Sequence, residues 1–187
     1  MQERLKYTIF TTKWGYFGLA GTESVLHRTC LPLPERNKAK THLLGNLSLM
    51  NRAPIVESDK TLFKSLQEQI TAYFEGVRID FSADIPTALD ALGSFTSSVL
   101  TACRTIEFGQ VVTYGGLARR LGRLRPARAA RAVGNALARN PMPLIIPCHR
   151  VIRSDGKMGG FSAPGGKDLK ARLLRHEQAS LASCKRC

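Results

Sequence analysis

The chain of 187 residues has no apolar run approaching the roughly 20 that a membrane-spanning helix needs. Residues 1–10 mix charges where a secretory leader would carry an apolar block. We therefore expect an intracellular protein without a membrane partner, in the cytoplasm of a prokaryote or the nucleus of a eukaryote. The cysteines form no framework. Cys30, Cys103, Cys148, Cys184 and Cys187 are odd in number and irregularly spaced, which suits a reducing compartment better than a secreted disulfide framework, so free thiols are expected. Zinc is poorly served too. Beside Cys148 and His149 the only other nearby His or Cys is His176, short of about four ligands, and His27 and Cys30 lack partners, so no metal is expected. There is no internal repeat and no low-complexity tract. Acidic residues are scarce in one half only. Residues 101–187 hold 17 Lys plus Arg against 4 Asp plus Glu, whereas the first hundred hold 11 against 10. A one-signed field made mostly of arginine points to a polyanion such as nucleic acid; a merely soluble basic face has the same composition.

What is present divides in two. Residues 7–20 are aromatic and β-branched with Gly15 and Gly18 at turn or bulge positions, which predicts a strand hairpin. Leu62, Leu66, Ile70 and Phe74 recur every four residues and predict a helix closed by Gly76. Between them, residues 30–54 carry prolines, asparagines and basic residues without clear period, so a long irregular segment is expected. Residues 82–86 read as the passage to a second unit. There, Leu92, Phe95, Val99, Cys103 and Ile106 mark another helical stripe, with Cys103 as a small core hydrophobe. Thr113 is placed to cap a short helix through Leu121. Gly122 to Pro126 is an arginine-loaded turn, and a second helix follows over residues 127–138. The pair is a helix-turn-helix candidate. Its second helix, ARAARAVGNALAR, is slender at Ala129, Ala130, Gly134 and Ala136, while Arg128, Arg131 and Arg139 project from it. That shape suits close approach to DNA, and small residues equally suit tight helix packing. The expected units are residues 1–88, 89–180 and a disordered tail, 181–187.

The chemistry concentrates in LIIPCHRVIR, residues 144–153. The only cysteines at thioredoxin spacing are Cys184 and Cys187, in a polar tail with Lys185 and Arg186 between them. With that pair and zinc set aside, Cys148 reads as a nucleophile, because a thiol is activated by a base that takes its proton and by nearby positive charge; His149 and Arg150 are adjacent. A base needs an orienting partner. Leu169, Leu173, Glu177 and Leu181 fall at four-residue intervals, which puts Glu177 on the apolar stripe of the last helix, where a carboxylate is costly unless paired. Glu177 therefore either fixes the tautomer of His149 in a Cys–His–Glu relay or pairs locally with Arg172 or Arg175.

PCHRVIRSDGKMGGFSAPGG, preceded by VVTYGGLARR and RAARAVGNALARNPMPLIIPCHR, closely resembles the O6-alkylguanine-DNA alkyltransferases, also called methylated-DNA-protein-cysteine methyltransferases. The match runs from about Phe95 to Glu177; the first half resembles the family weakly, through the hairpin and LQEQITAYFEGVRIDF. The resemblance implies an α+β fold, with a small N-terminal α/β domain built on a β-hairpin or sheet and a mostly helical C-terminal domain holding a helix-turn-helix. It implies irreversible, single-turnover transfer of an alkyl group from O6 of guanine in double-stranded DNA to Cys148, by a monomer without a cofactor. His149 would deprotonate Cys148 through a water, with Glu177 holding His149. Tyr114 would help protonate guanine at N3, and Asn140 would brace the turn before the cysteine. Arg131 would enter the base stack in place of the flipped nucleotide, with Arg128, Thr113, Ala130, Gly134 and Asn135 also at the DNA. Pro143, Val151, Phe161 and Ser162 would shape the pocket, backbone groups of Cys148, Val151 and Ser162 holding the base. Phe161 stands where many members carry tyrosine, and both the turn at 122–129 and GGFSAPGG are longer than usual.

Two other readings use the same residues. One is a non-catalytic helix-turn-helix regulator or lesion-binding protein with Cys148 as a structural or redox thiol. The other is a cysteine hydrolase, for which no acyl pocket or oxyanion hole is evident in the sequence. Covalent chemistry on Cys148 separates them.

Overall fold

A computed structural model describes residues 4–50, 54–58, 61–81, 84–123 and 125–184. The chain divides into two compact units, Met1–Ala88 and Leu89–Cys187.

In the first unit the hairpin forms as the residue types dictate. Strand β1 (Lys6–Thr12) pairs antiparallel with β2 (Gly15–Gly21), Phe10 opposite Phe17. Strand β3 (Leu26–Leu33) joins β2, and the short β4 (Val56–Glu57) runs parallel to β1, giving the order β3-β2-β1-β4. Helix α1 (Arg36–Met50) sets Ala39 and Leu43 against Tyr7, Ile9, Ala20 and Cys30. Helix α2 (Lys64–Glu75) covers the other face, where Phe74 packs on Phe17. Gly76, at φ 102°, ends α2 in the left-handed conformation that glycine adopts without steric cost. Leu62 is buried but precedes the helix instead of starting it.

The irregular segment expected over residues 30–54 is thus a correction: it holds the end of β3 and all of α1. Pro32 is tolerated because β3 is an edge strand. The polar composition of α1 hid the short stripe of Ala39 and Leu43.

In the second unit a 3-10 turn (Asp90–Leu92) leads into α3 (Ser94–Arg104), which buries Val99, Leu100 and Cys103. Then come β5 (Val112–Thr113), α4 (Tyr114–Arg120) and α5 (Pro126–Leu137). Thr113 caps α4 as expected, its Oγ1 accepting from the Gly116 N–H at 2.9 Å, and Pro126 opens α5, where its missing N–H costs nothing. A 3-10 turn (Cys148–Arg150) and β6 (Val151–Ile152), parallel to β5, precede α6 (Gly166–Cys184). The expected tail is corrected over residues 181–184, which are helical. Leu181 continues the stripe of α6 and packs over Gly109. Residues 185–187 lie outside the described residues. None of the described helices is long and apolar enough to cross a membrane.

Candidate active site

The helix pair α4 and α5 forms one wall. The buried side of α5 is Val133, Ala136 and Leu137, so its remaining face is turned outward. There Ala130, Arg131, Gly134 and Asn135 line a cavity of about 770 Å³, with Cys148 reaching it from beneath. Tyr114 opens α4 at the cavity wall, and Gly159, Gly160, Phe161 and Ser162 complete the lining, Gly159 lying against the Tyr114 ring.

The route from α5 to the cysteine is fixed by one side chain. Asn140 Nδ2 donates to the Ile146 carbonyl at 2.8 Å and to Cys148 Sγ at 3.1 Å, while its Oδ1 accepts from the Met142 N–H at 3.0 Å. Leu144 within this turn is buried at φ 81°, a left-handed conformation that costs a leucine about 1–3 kcal/mol and persists because its surroundings hold it. On an extended segment the adjacent Cys148 and His149 side chains would point to opposite faces; the 3-10 turn bends the chain here. It keeps Cys148 at the cavity and sends His149 and Arg150 inward, all three buried.

Inside, Glu177 of α6 gathers three partners. His149 Nε2 lies 2.8 Å from Oε1, Arg150 donates through Nε and Nη2 at 3.0–3.2 Å, and the Gly109 N–H donates to Oε2 at 2.9 Å. Burial alone would raise the Glu177 carboxyl, but His149 and the Arg150 guanidinium outweigh it and hold it down at about 2. Because Glu177 is then a carboxylate, the His149 proton sits on Nε2, leaving a lone pair on Nδ1; Nδ1 is buried and has no hydrogen-bond partner among the described residues. Burial holds the His149 imidazole below its ordinary value, against the pull of Glu177, so it is neutral at pH 7. Burial pushes the Cys148 thiol up, against the hydrogen bond from Asn140 and the charge of Lys170. The resting site is therefore a neutral thiol near a neutral imidazole, and a proton must move when the sulfur reacts.

Arg150, expected as the cation beside the thiol, is committed to Glu177 and to the Ile106 carbonyl at 2.6 Å. The cation acting on the sulfur is Lys170, which sequence reasoning missed. Fully buried on α6, its Nζ donates to the Val151 carbonyl at 2.6 Å and sits 5.7 Å from the Tyr114 ring centre. A signal was available: Lys170, Leu173 and Glu177 share one helical stripe. Burial, first of all, pushes the Tyr114 phenol up, so it stays protonated. A Cβ on Gly159 would lie 2.0 Å from the Tyr114 hydroxyl, so glycine is what lets the phenol stand there. Arg128 is exposed on α5 and Thr113 serves as the α4 cap. Pro143 and Val151 are not brought to the cavity wall; Val151 is buried behind it, its carbonyl taken by Lys170. Among the described residues no three His, Cys, Asp or Glu side chains group as a metal site.

Fold and site together define a class: a helix-turn-helix protein with one buried cysteine at the foot of its second helix, backed by histidine and glutamate. Residues 94–179 match the family model described as the 6-O-methylguanine DNA methyltransferase, DNA binding domain. A methylated-DNA-protein-cysteine methyltransferase of Rattus norvegicus is 35% identical over 93% of this chain and 82% of its own length. A DNA base-flipping protein of Thermus thermophilus is 40% identical over 71% of this chain and 83% of its own. Among solved structures, a Mycobacterium tuberculosis OGT in complex with DNA superposes with a TM-score of 0.72 at 31% identity, covering 94% of both chains. The chain belongs to the methylated-DNA-protein-cysteine methyltransferase family.

Proposed function

We propose that this chain, acting as a monomer on double-stranded DNA, repairs O6-alkylguanine by moving the alkyl group irreversibly to the sulfur of Cys148. The observation that carries the reading is the cavity that joins Cys148 to the outward face of α5, with His149 and Glu177 in hydrogen-bonded series behind it. A sulfur below a helix can meet an alkyl carbon of a duplex base only if that base is extruded, at a cost of a few kcal/mol. Arg131, on the cavity edge of α5, fills the vacated stack and offsets that cost. The thiol proton passes to Nδ1 of His149 through one water, and Glu177 steadies the imidazolium so formed. Sγ attacks the alkyl carbon, the carbon–O6 bond breaks, and Tyr114 donates a proton at N3 so that guanine leaves neutral. Asn140 holds Sγ on line. Cys148 ends as a thioether, which no group in the site can reverse, so each molecule reacts once.

The test is intact-mass measurement with peptide mapping after mixing with duplex DNA that carries O6-methylguanine. One methyl on Cys148, lost in Cys148→Ala, is expected. Binding without any mass gain would favour a lesion-binding protein, and repeated turnover by one molecule would refute the suicide reaction.

A further inference from the structure

Among the described residues two charged side chains line the cavity, and both are arginines: Arg131 on α5 and Arg153 just past β6. The alkyl-transfer reading gives Arg153 no task. Its backbone is fixed in a closed turn, in which the Arg153 N–H donates to the Lys157 carbonyl at 3.0 Å and the Gly156 N–H to the Arg153 carbonyl at 3.1 Å. Its guanidinium is also held, Nη2 lying 2.9 Å from Asp155 Oδ2, and Asp155 is in turn tied to the Lys157 N–H at 3.1 Å. The guanidinium thus presents a fork of donors, only part of which Asp155 occupies. With 58% of the side chain exposed, Arg153 belongs to the mouth of the cavity and not to its floor, where Lys170 and Asn140 act on the sulfur.

No carboxylate lines the cavity among the described residues, so a guanidinium at its mouth favours an anionic group on whatever enters. Guanine and a methyl group are neutral. We propose, building on the alkyl-transfer reading, that Arg153, positioned by Asp155, is an anion-binding specificity residue at the cavity rim. Its ligand is an anionic oxygen, either from the phosphate beside the extruded nucleotide or from a carboxylate carried by the O6 substituent. In both cases the contact forms as the nucleotide seats, so it acts on the loaded cavity and not on first encounter with DNA.

The experiment is single-turnover transfer at saturating duplex, with the full chain and its Arg153→Gln variant, on O6-methylguanine and O6-carboxymethylguanine in the same sequence, and on free O6-benzylguanine. A hydrogen bond to a charged group, once lost, slows transfer by about tenfold or more. If the ligand is the phosphate, both duplex substrates slow alike and the free base far less. If it is the substituent, only the carboxymethyl substrate slows. In either case Arg153→Lys, which keeps the charge without the fork, recovers part of the rate. Unchanged rates on both duplex substrates overturn the proposal, and so does equal slowing on the free base, which would make Arg153 a shape residue. Absence of transfer by the unaltered chain would instead sink the alkyl-transfer reading itself.

Discussion

Replacing Glu177 with Gln keeps the volume and removes the charge, and the structure sets the size of the effect. The carboxylate is fully buried and takes donors from His149, Arg150 and the Gly109 N–H on two oxygens. An amide offers one oxygen and turns its NH2 against the remaining donors, and it leaves the buried Arg150 cation uncompensated. Breaking a buried ion pair in this way costs about 3–5 kcal/mol. The depressed carboxyl reflects the same pairing. It falls from the ordinary 4.5 to about 2 on folding, and at 1.36 kcal/mol per unit that is about 3 kcal/mol at neutral pH. For a unit of this size, Glu177→Gln should lower Tm by about 10 °C or more. Because the folded value lies below the unfolded one, the stabilisation is complete above pH 4.5 and is lost as pH falls towards about 2. The assay is urea denaturation of both proteins across that range. Their difference in stability should shrink steadily through the window, whereas a Gln variant within about 1 kcal/mol of the parent at pH 7, or a difference that does not change with pH, would refute the buried-pair argument.

Arg131→Ala leaves the cost of base extrusion uncompensated, so repair of O6-methylguanine in duplex DNA at saturation should slow on the order of tenfold or more, and reaction with free O6-benzylguanine much less; equal slowing in single-turnover kinetics would remove Arg131 from the flipping role. Gly159→Ala puts a methyl 2.0 Å from the Tyr114 hydroxyl, and displacing the phenol should slow transfer to duplex and free base alike at a stability cost of about 1–3 kcal/mol; full activity would show that Tyr114 is not needed where it stands.

The stripe Leu169, Leu173, Glu177 announced a carboxylate on an apolar face, and it lies there fully buried. Thr113 at the head of α4 and the slender α5 were legible for the same reason: caps and periodic faces are local properties of a chain. What stayed hidden was of two kinds. Helix α1 has a core face made of Ala39 and Leu43 among polar residues, too small a signal against two nearby prolines. Other features depend on contacts between distant residues. Nothing next to Arg150 in sequence shows that its guanidinium turns to Glu177 and Ile106, and nothing near Gly159 shows that Tyr114 occupies the space a methyl would take. Lys170 is intermediate, since its periodicity is readable, but a lysine stem can lie on an apolar stripe with its head in water; only the fold shows that the head is buried.

The neutral thiol of Cys148 has a consequence for the working life of the molecule. A protein that spends its sulfur on its first reaction is a reagent, and a reagent has to be stored. Thiolates are what oxidants and stray electrophiles consume, and a low-value, exposed cysteine would be lost to them between lesions. Here burial keeps the proton on sulfur, and burial likewise keeps the neighbouring His149 imidazole neutral. On the proposed mechanism, reactivity is thus withheld until a base fills the cavity and brings its own carbon to the sulfur. The supply of repair capacity is then set by how many unspent copies the cell holds, and the fold protects that stock.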